Sequence, residues 1–217
     1  MPTAVIIKQY KQSKHLKLSA KPFEGIIASV PKRASKKVIQ QFIQQHHDWI
    51  VQQRLQLKQQ EDSLILPNTL YFPCLEQTLP ISYPKHIDTT YEKVAFLQQK
   101  TLNYAQKKLR SYIQQRIADA GYPVPTIRIA FQRSRWGSCS AKGNLNFNAR
   151  LLFLPRHLVD YVIHHELAHL RHLNHSAAFW QHLDDLHPNA QAADRELDIR
   201  AQQLDPWLHI PRLQSQL

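Results

Sequence analysis

The 217-residue chain is poor in glycine, cysteine and methionine. With four glycines, neither a GxGxxG nor a GxxxxGK[ST] pattern can be written, which excludes dinucleotide-binding and P-loop readings. The two cysteines, Cys74 and Cys139, lie far apart and form no CxxC, so there is neither a disulfide framework nor a cysteine-based zinc site. The single methionine is Met1. No stretch of 18 uninterrupted apolar residues occurs, so no transmembrane helix is expected. The apolar run in Met1 to Lys8 is too short for a secretory signal, and the expectation is a soluble, cytoplasmic protein with no membrane partner.

What is present is positive charge. The formal net charge is +12, unevenly placed. Residues 1–58 hold 11 Lys and Arg against two acids, Glu24 and Asp48, which is +9. The remaining 17 basic and 14 acidic residues leave +3. A basic N-terminal part attracts polyanions, nucleic acid included. No aromatic residues interleave with the lysines as stacking platforms would, so a solvated surface explains the charge better.

Periodicity outlines an α+β protein. Residues 4–10, 15–21 and 26–30 read as strands, with Leu16 and Leu18 alternating with polar neighbours. Ser35 is a candidate N-cap for a helix to about Gln59, with Val38, Ile39, Phe42, Ile43, Trp49 and Ile50 at helical spacing. The proline-punctuated stretch 61–88 reads as a hairpin or connector. Thr89 and Glu92 form a capping box opening a long helix that Gly121 closes. Strands are expected over 126–132 and 145–153. A helix over about 156–173 is apolar nearly all round and therefore buried. Ser176 caps a short helix, and another runs over 189–204. The implied division is a small β-rich N-terminal subdomain with connector, 1–88, and a core, 89–217.

Chemistry concentrates in His165-Glu166-Leu167-Ala168-His169, an HExxH pattern inside the buried helix. Residues i and i+4 share a helix face, so two imidazoles can converge on one Zn²⁺. Glu166 is then placed to take a proton from a water the metal activates. With 13 His and six Glu in the chain, composition alone yields this pattern about 0.02 times, so chance is a poor explanation. Two imidazoles and a carboxylate in an apolar helix also need partners, which a metal supplies.

The third ligand has several candidates. His172 lies on the same helix face, but seven residues span about 10.5 Å of helix, a poor fit to tetrahedral geometry. His175 can reach the pair if the helix breaks after His169 and the chain turns back. Leu173-Asn174 suits such a turn, because Asn tolerates the left-handed conformation. His175 is the stronger choice, with His172 and a downstream Glu196 as rivals, and His164 points away. This ligand spacing equals that of the metzincins, yet their glycine is replaced by His172 and the chain has no methionine for a Met-turn.

Several blocks together resemble one family. They are Arg135-Trp136-Gly137-Ser138-Cys139-Ser140, Asn148-Ala149-Arg150-Leu151, Pro155, Asp160-Tyr161-Val162, the HExxH segment, Asn174-His175-Ser176 and Phe179-Trp180. They resemble the YgjP-like metallopeptidases, zinc-dependent hydrolases related to the SprT-like and WLM proteases. Ser13 to Leu18, Val30-Pro31 and Trp49-Ile50 extend the likeness toward the N-terminus, with His15 where the family usually has Arg. The resemblance implies one Zn²⁺ per chain on His165, His169 and His175, and a catalytic Glu166. It also implies a zincin-like core, a short sheet lying against the HExxH helix, with the tract 133–143 near the cleft.

By its chemistry Arg135 can hold an anionic group or stabilise an oxyanion, and Asn148 can orient a ligand or substrate, although a structural turn explains both. Cys139 lacks the partners of a nucleophile. The expectation is a zinc-dependent hydrolase of the metallopeptidase class acting on a peptide or protein. Two alternatives keep the same site. One is a nucleoside triphosphate pyrophosphohydrolase, and the other is a nucleic-acid-associated protease like the SprT and WLM enzymes. An intact Glu166 argues against a purely structural zinc module.

Overall fold

The computed structural model describes residues 5–213. The chain forms two compact units, one running to Ile65 and the other beginning at Leu66.

The first unit is a three-stranded sheet with two helices. Strands β1 (Ile6–Tyr10), β2 (Lys17–Lys21) and β3 (Gly25–Pro31) take the order β1-β3-β2, β1 parallel and β2 antiparallel to the centre. The central strand carries the unit's core residues Ile26, Ala28 and Val30. Ser35 caps helix α1 (Lys36–Gln45), its hydroxyl accepting from the Val38 N–H. The helix expected to reach Gln59 instead breaks at His46 and resumes as α2 (His47–Asp62). At the break His46 Nδ1 bonds the Phe42 carbonyl at 2.8 Å, the acceptor its own N–H would use in an unbroken helix. Ile39 and Ile50 are buried, whereas Val38 and Trp49 from the same apolar pattern are exposed.

Residues 66–88, grouped on sequence with the N-terminal part, fall in the second unit. Strands β4 (Thr69–Phe72) and β5 (Gln77–Pro80) form an antiparallel hairpin. Phe72 and Cys74 are fully buried, and the Cys74 thiol donates to the Leu152 carbonyl. That burial ties the hairpin to the core and pushes the Cys74 thiol up to about 12.

The capping box forms as expected. The Thr89 hydroxyl accepts from the Glu92 N–H while the Glu92 carboxylate accepts from the Thr89 N–H, opening α3 (Thr90–Tyr104). A π-helical turn over Ala105–Leu109 leads into α4 (Arg110–Asp119). Gly121 follows with φ +76°, the left-handed position that favours glycine after a helix.

Strands β6 (Ile127–Ala130), β7 (Gly137–Cys139) and β8 (Leu145–Asn148) form a sheet of order β6-β8-β7, parallel between β6 and β8 and antiparallel between β7 and β8. The strand expected over 145–153 stops at Asn148. Its side-chain oxygen accepts from the Arg150 N–H and starts a 3-10 turn over Ala149–Phe153. Helix α5 (Arg156–Ala168) lies against β7 and buries Leu158, Val159, Val162, Ile163 and Leu167. Each such side chain contributes about 1.5–3 kcal/mol when fully buried. Helices α6 (Ala177–Leu186) and α7 (Ala190–Gln202) pack on α5, and a short α8 (Pro206–His209) follows. A short sheet against the HExxH helix is the α+β arrangement the resemblance implies. Among the described residues no helix is long and apolar enough to cross a membrane.

Candidate metal centre

Helix α5 ends at Ala168, not near residue 173, so His169 already stands at its C-cap. The N–H groups of Leu170, Arg171 and His172 bond the carbonyls of Leu167 and Ala168, tightening the chain into a turn. The turn needs no left-handed residue, because Phe23, Glu76 and Asn189 are the described non-glycine residues with positive φ and Asn174 is not one of them. Ser176 then caps α6, its hydroxyl accepting from the Phe179 N–H, which leaves His175 beside the end of α5.

His165, His169 and His175 thereby come together, each with one ring nitrogen within 4.8 Å of the others. Their ring centroids are 4.9–5.0 Å apart. The Nε2 atoms of His165 and His175 are separated by 3.1 Å. Tetrahedral ligands at about 2.0–2.1 Å from Zn²⁺ have nitrogens roughly 3.3 Å apart, so the spacing suits one small divalent ion. His172 is not in the cluster. Its ring faces His182 at 5.6 Å, and its backbone carbonyl accepts from His169 Nδ1 at 2.9 Å. Glu196 is also elsewhere, bonded to His157 at 2.9 Å. His164 is buried against His187, and burial pushes it down to about 4.

The far side of both His165 and His169 is held. Because a carbonyl only accepts, the His172 carbonyl places the His169 proton on Nδ1 and leaves Nε2 free. His165 Nδ1 lies 3.3 Å from the Tyr161 hydroxyl, which donates to Asp194 Oδ1 at 2.7 Å. The phenol therefore accepts from His165 Nδ1–H, and the His165–Tyr161–Asp194 relay orients the His165 ring. Burial, then the neighbouring His169 and His175, push His165 down to about 4, so it is neutral and able to ligate at neutral pH. Beneath the cluster, the fully buried Phe179 ring lies 4.7–5.1 Å from all three imidazoles. Phe179 closes the site from below and Asp194 anchors it. Sequence spacing carries no signal for Asp194, which is 33 residues from Tyr161.

Glu166 is 4% exposed, and its Oε2 has no hydrogen-bond partner among the described residues. It lines a cleft of about 230 Å³ with His165, Gly137, Arg135, Asp194 and Asp198. Burial pushes its carboxyl up to about 8, and Arg135 opposes the shift. The orphaned carboxylate oxygen thus shares a cleft with His165, whose ring converges with those of His169 and His175, a group that could hold a metal ion.

Arg135 is exposed at the rim of this cleft. Asn148 is buried, and its amide is spent on the backbone, donating to the carbonyls of Gln132 at 3.0 Å and Arg135 at 2.8 Å. It shapes the loop that carries Arg135 and has no donor left for a substrate. Cys139 is half-buried, with its thiol raised by burial and by Glu166.

The profile of the YgjP-like metallopeptidase domain matches residues 14–200. The chain belongs to the YgjP-like family. No curated protein sequence matches it. It is similar to the crystal structure of the metallopeptidase zymogen of Pyrococcus abyssi abylysin, with 24% identity and a TM-score of 0.38, covering 43% of this chain and 94% of that one. A second similar structure is the metallopeptidase zymogen of Methanocaldococcus jannaschii jannalysin, with 21% identity and a TM-score of 0.38, covering 45% and 99%. As a YgjP-like metallopeptidase the protein is a metal-dependent hydrolase. A divalent metal ion belongs to its chemistry, and the three histidines are a group able to hold one.

Proposed function

We propose that this YgjP-like protein is a zinc-dependent peptidase in which His165, His169 and His175 hold the metal and Glu166 is the general base. The observation that carries the reading is the buried, partnerless Glu166 Oε2 in the cleft it shares with His165. When bound, the ion supplies a polarised water and Lewis-acid assistance to the carbonyl under attack. Glu166 takes the proton of the attacking water on its carboxylate and returns it to the departing amine. Arg135, exposed at the cleft rim, stabilises negative charge developing on the carbonyl oxygen. The carboxyl must be ionised to act as base. Burial opposes this, while Arg135 and a divalent cation favour it.

The cleft wall favours a peptide over a nucleoside triphosphate. Asp194 and Asp198 line it together with Glu166, and only Arg135 among the lining residues is cationic. Apart from the ion itself, a polyphosphate entering there meets more carboxylates than guanidinium groups, whereas a peptide bond carries no such charge. The test is a peptide library and a nucleoside triphosphate panel offered to the metal-loaded protein and to Glu166→Gln. Peptide cleavage that falls about 10²–10⁴-fold in Glu166→Gln with metal retained supports the reading. Triphosphate hydrolysis without peptide cleavage, or unchanged turnover in the variant, removes it.

A second reading concerns a partner. In the first unit Lys11, Lys32 and Arg33 line one recess with Ser13 and Pro31. Such a recess suits a phosphate backbone, and it supports a peptidase that docks on nucleic acid.

A further inference from the structure

Arg150 sits in the 3-10 turn after β8 and is 9% exposed. Its guanidinium lies over the Trp136 ring at 5.0 Å. Its Nη2 donates to the carbonyls of Gln132 at 3.1 Å and Arg133 at 3.5 Å. Its Nε is buried with no partner, and among the described residues no carboxylate forms an ion pair with it. Burial lowers its pKa and no acidic neighbour opposes the effect. A buried cation is ordinarily matched by an anion, because two carbonyl dipoles and one ring face do not replace the hydration it loses.

Beside Arg150 is a cavity of about 80 Å³, separate from the metal cleft. Arg133 and Arg212 join Arg150 in its wall, which contains no acidic residue. Arg212 bonds the neutral Gln99 side chain at 3.0 Å, so its charge is also uncompensated by that contact. One water occupies about 30 Å³ of liquid, so the cavity has room for two or three waters or one tetrahedral oxyanion. Planar guanidinium forks match phosphate oxygens bidentately.

We propose that this cavity is an anion site that takes a phosphate-sized oxyanion on Arg133, Arg150 and Arg212. The site connects to the metal cleft through the backbone. Arg150 and Asn148 grip the carbonyls of Gln132, Arg133 and Arg135, in the segment that carries Arg135 and leads into Gly137. A bound oxyanion neutralises Arg150, fixes Arg133 and holds that segment at the cleft. The inference stands apart from the identity of the metal and of the substrate.

The test uses the full chain in thermal melts and calorimetric titrations, with inorganic phosphate compared with chloride at equal ionic strength. A parallel arm uses AMP as a phosphate monoester. Arg133 and Arg212 are exposed, so the Arg133→Gln/Arg212→Gln double variant removes two charges without opening the core. The expected result is a phosphate-dependent rise in Tm of several degrees, lost in the double variant. A matching rise with AMP assigns the site to phosphate monoesters, and a rise with phosphate alone assigns it to the free ion. Absence of any rise with either anion overturns the proposal. So does a rise of equal size in the double variant, which places the anion elsewhere, such as at the metal.

Discussion

A methyl group added to Gly137 would stand 2.5 Å from Glu166 Oε1, 2.7 Å from its Cγ and 2.9 Å from its Cδ. Glycine on β7 is thus the space that the Glu166 side chain on α5 occupies. The requirement is steric and not conformational, because Gly137 is not among the glycines with positive φ.

Gly137→Ala should therefore displace the Glu166 carboxylate, since the added Cβ is fixed by the backbone and overlaps three Glu166 atoms. The expected outcome is a fall in turnover of about 10²-fold with metal content unchanged, because a misplacement of about 1 Å costs that much. Overpacking should also destabilise the fold by about 1–3 kcal/mol. Turnover and bound metal measured on the same preparation check this, and full activity in the variant would show that Glu166 need not stay where it is.

Tyr161→Phe removes the hydroxyl between His165 Nδ1 and Asp194. It leaves all three imidazoles in place, yet metal affinity should drop about 10–100-fold, as is typical when an outer partner is lost. Competition with a chelator of known affinity measures it. His175→Ala should weaken binding far more than His172→Ala, whose side chain lies against His182. Equal losses in the two histidine variants would overturn the choice of third ligand.

The metal-free protein should show two opposed pH dependences. His164 and His165 are pushed down to about 4 from 6.5, so the unfolded chain binds protons in that window that the folded chain refuses. Their contribution is present above about pH 6.5 and lost as the pH falls toward 4. Glu166 behaves oppositely, because its folded carboxyl keeps a proton up to about 8 that the unfolded chain releases near 4.5. Its contribution is present below about pH 4.5 and lost as the pH rises to 8. Each is worth on the order of a few kcal/mol, the larger shift of Glu166 the most. Urea midpoints of chelated wild type and Glu166→Gln at pH 5, 6.5 and 8 should diverge progressively from pH 5 upward, with the wild type alone declining outright above pH 6.5, where the histidine gain has ended. Parallel curves would remove Glu166 as the cause.

Binding of DNA by the basic first unit should fall steeply with salt. Lys32→Gln/Arg33→Gln should reduce the slope of log K against log salt by about two, one for each lost phosphate contact. Gel shifts from low to physiological salt report it. No shift at low salt, with single- or double-stranded DNA, removes the nucleic-acid reading.

Some features are legible in the sequence because their physics is local. The Thr89 capping box, the Ser35 and Ser176 caps and the pairing of His165 with His169 each depend on residues three or four apart on one helix. The failures were local too, but of another kind. His46 broke a helix by offering its ring to the Phe42 carbonyl, and Asn148 ended a strand by capping Arg150. Hydrophobic periodicity does not register a side chain competing for a backbone partner.

The order of residues alone places two imidazoles and a carboxylate along one helix, because the pitch of an α-helix fixes what lies at i and i+4. The scarcity of glycine and of methionine likewise ruled out phosphate loops and a Met-turn without any structure. The return of His175 but not His172 to that helix, and the packing of Phe179 against all three imidazoles, come from tertiary packing. It alone brought Asp194 to Tyr161 across 33 residues, and Gly137 to Glu166 across 29. Those contacts depend on how β7, α6 and α7 pack on α5, and packing is set by the summed burial of many side chains, which no residue spacing encodes.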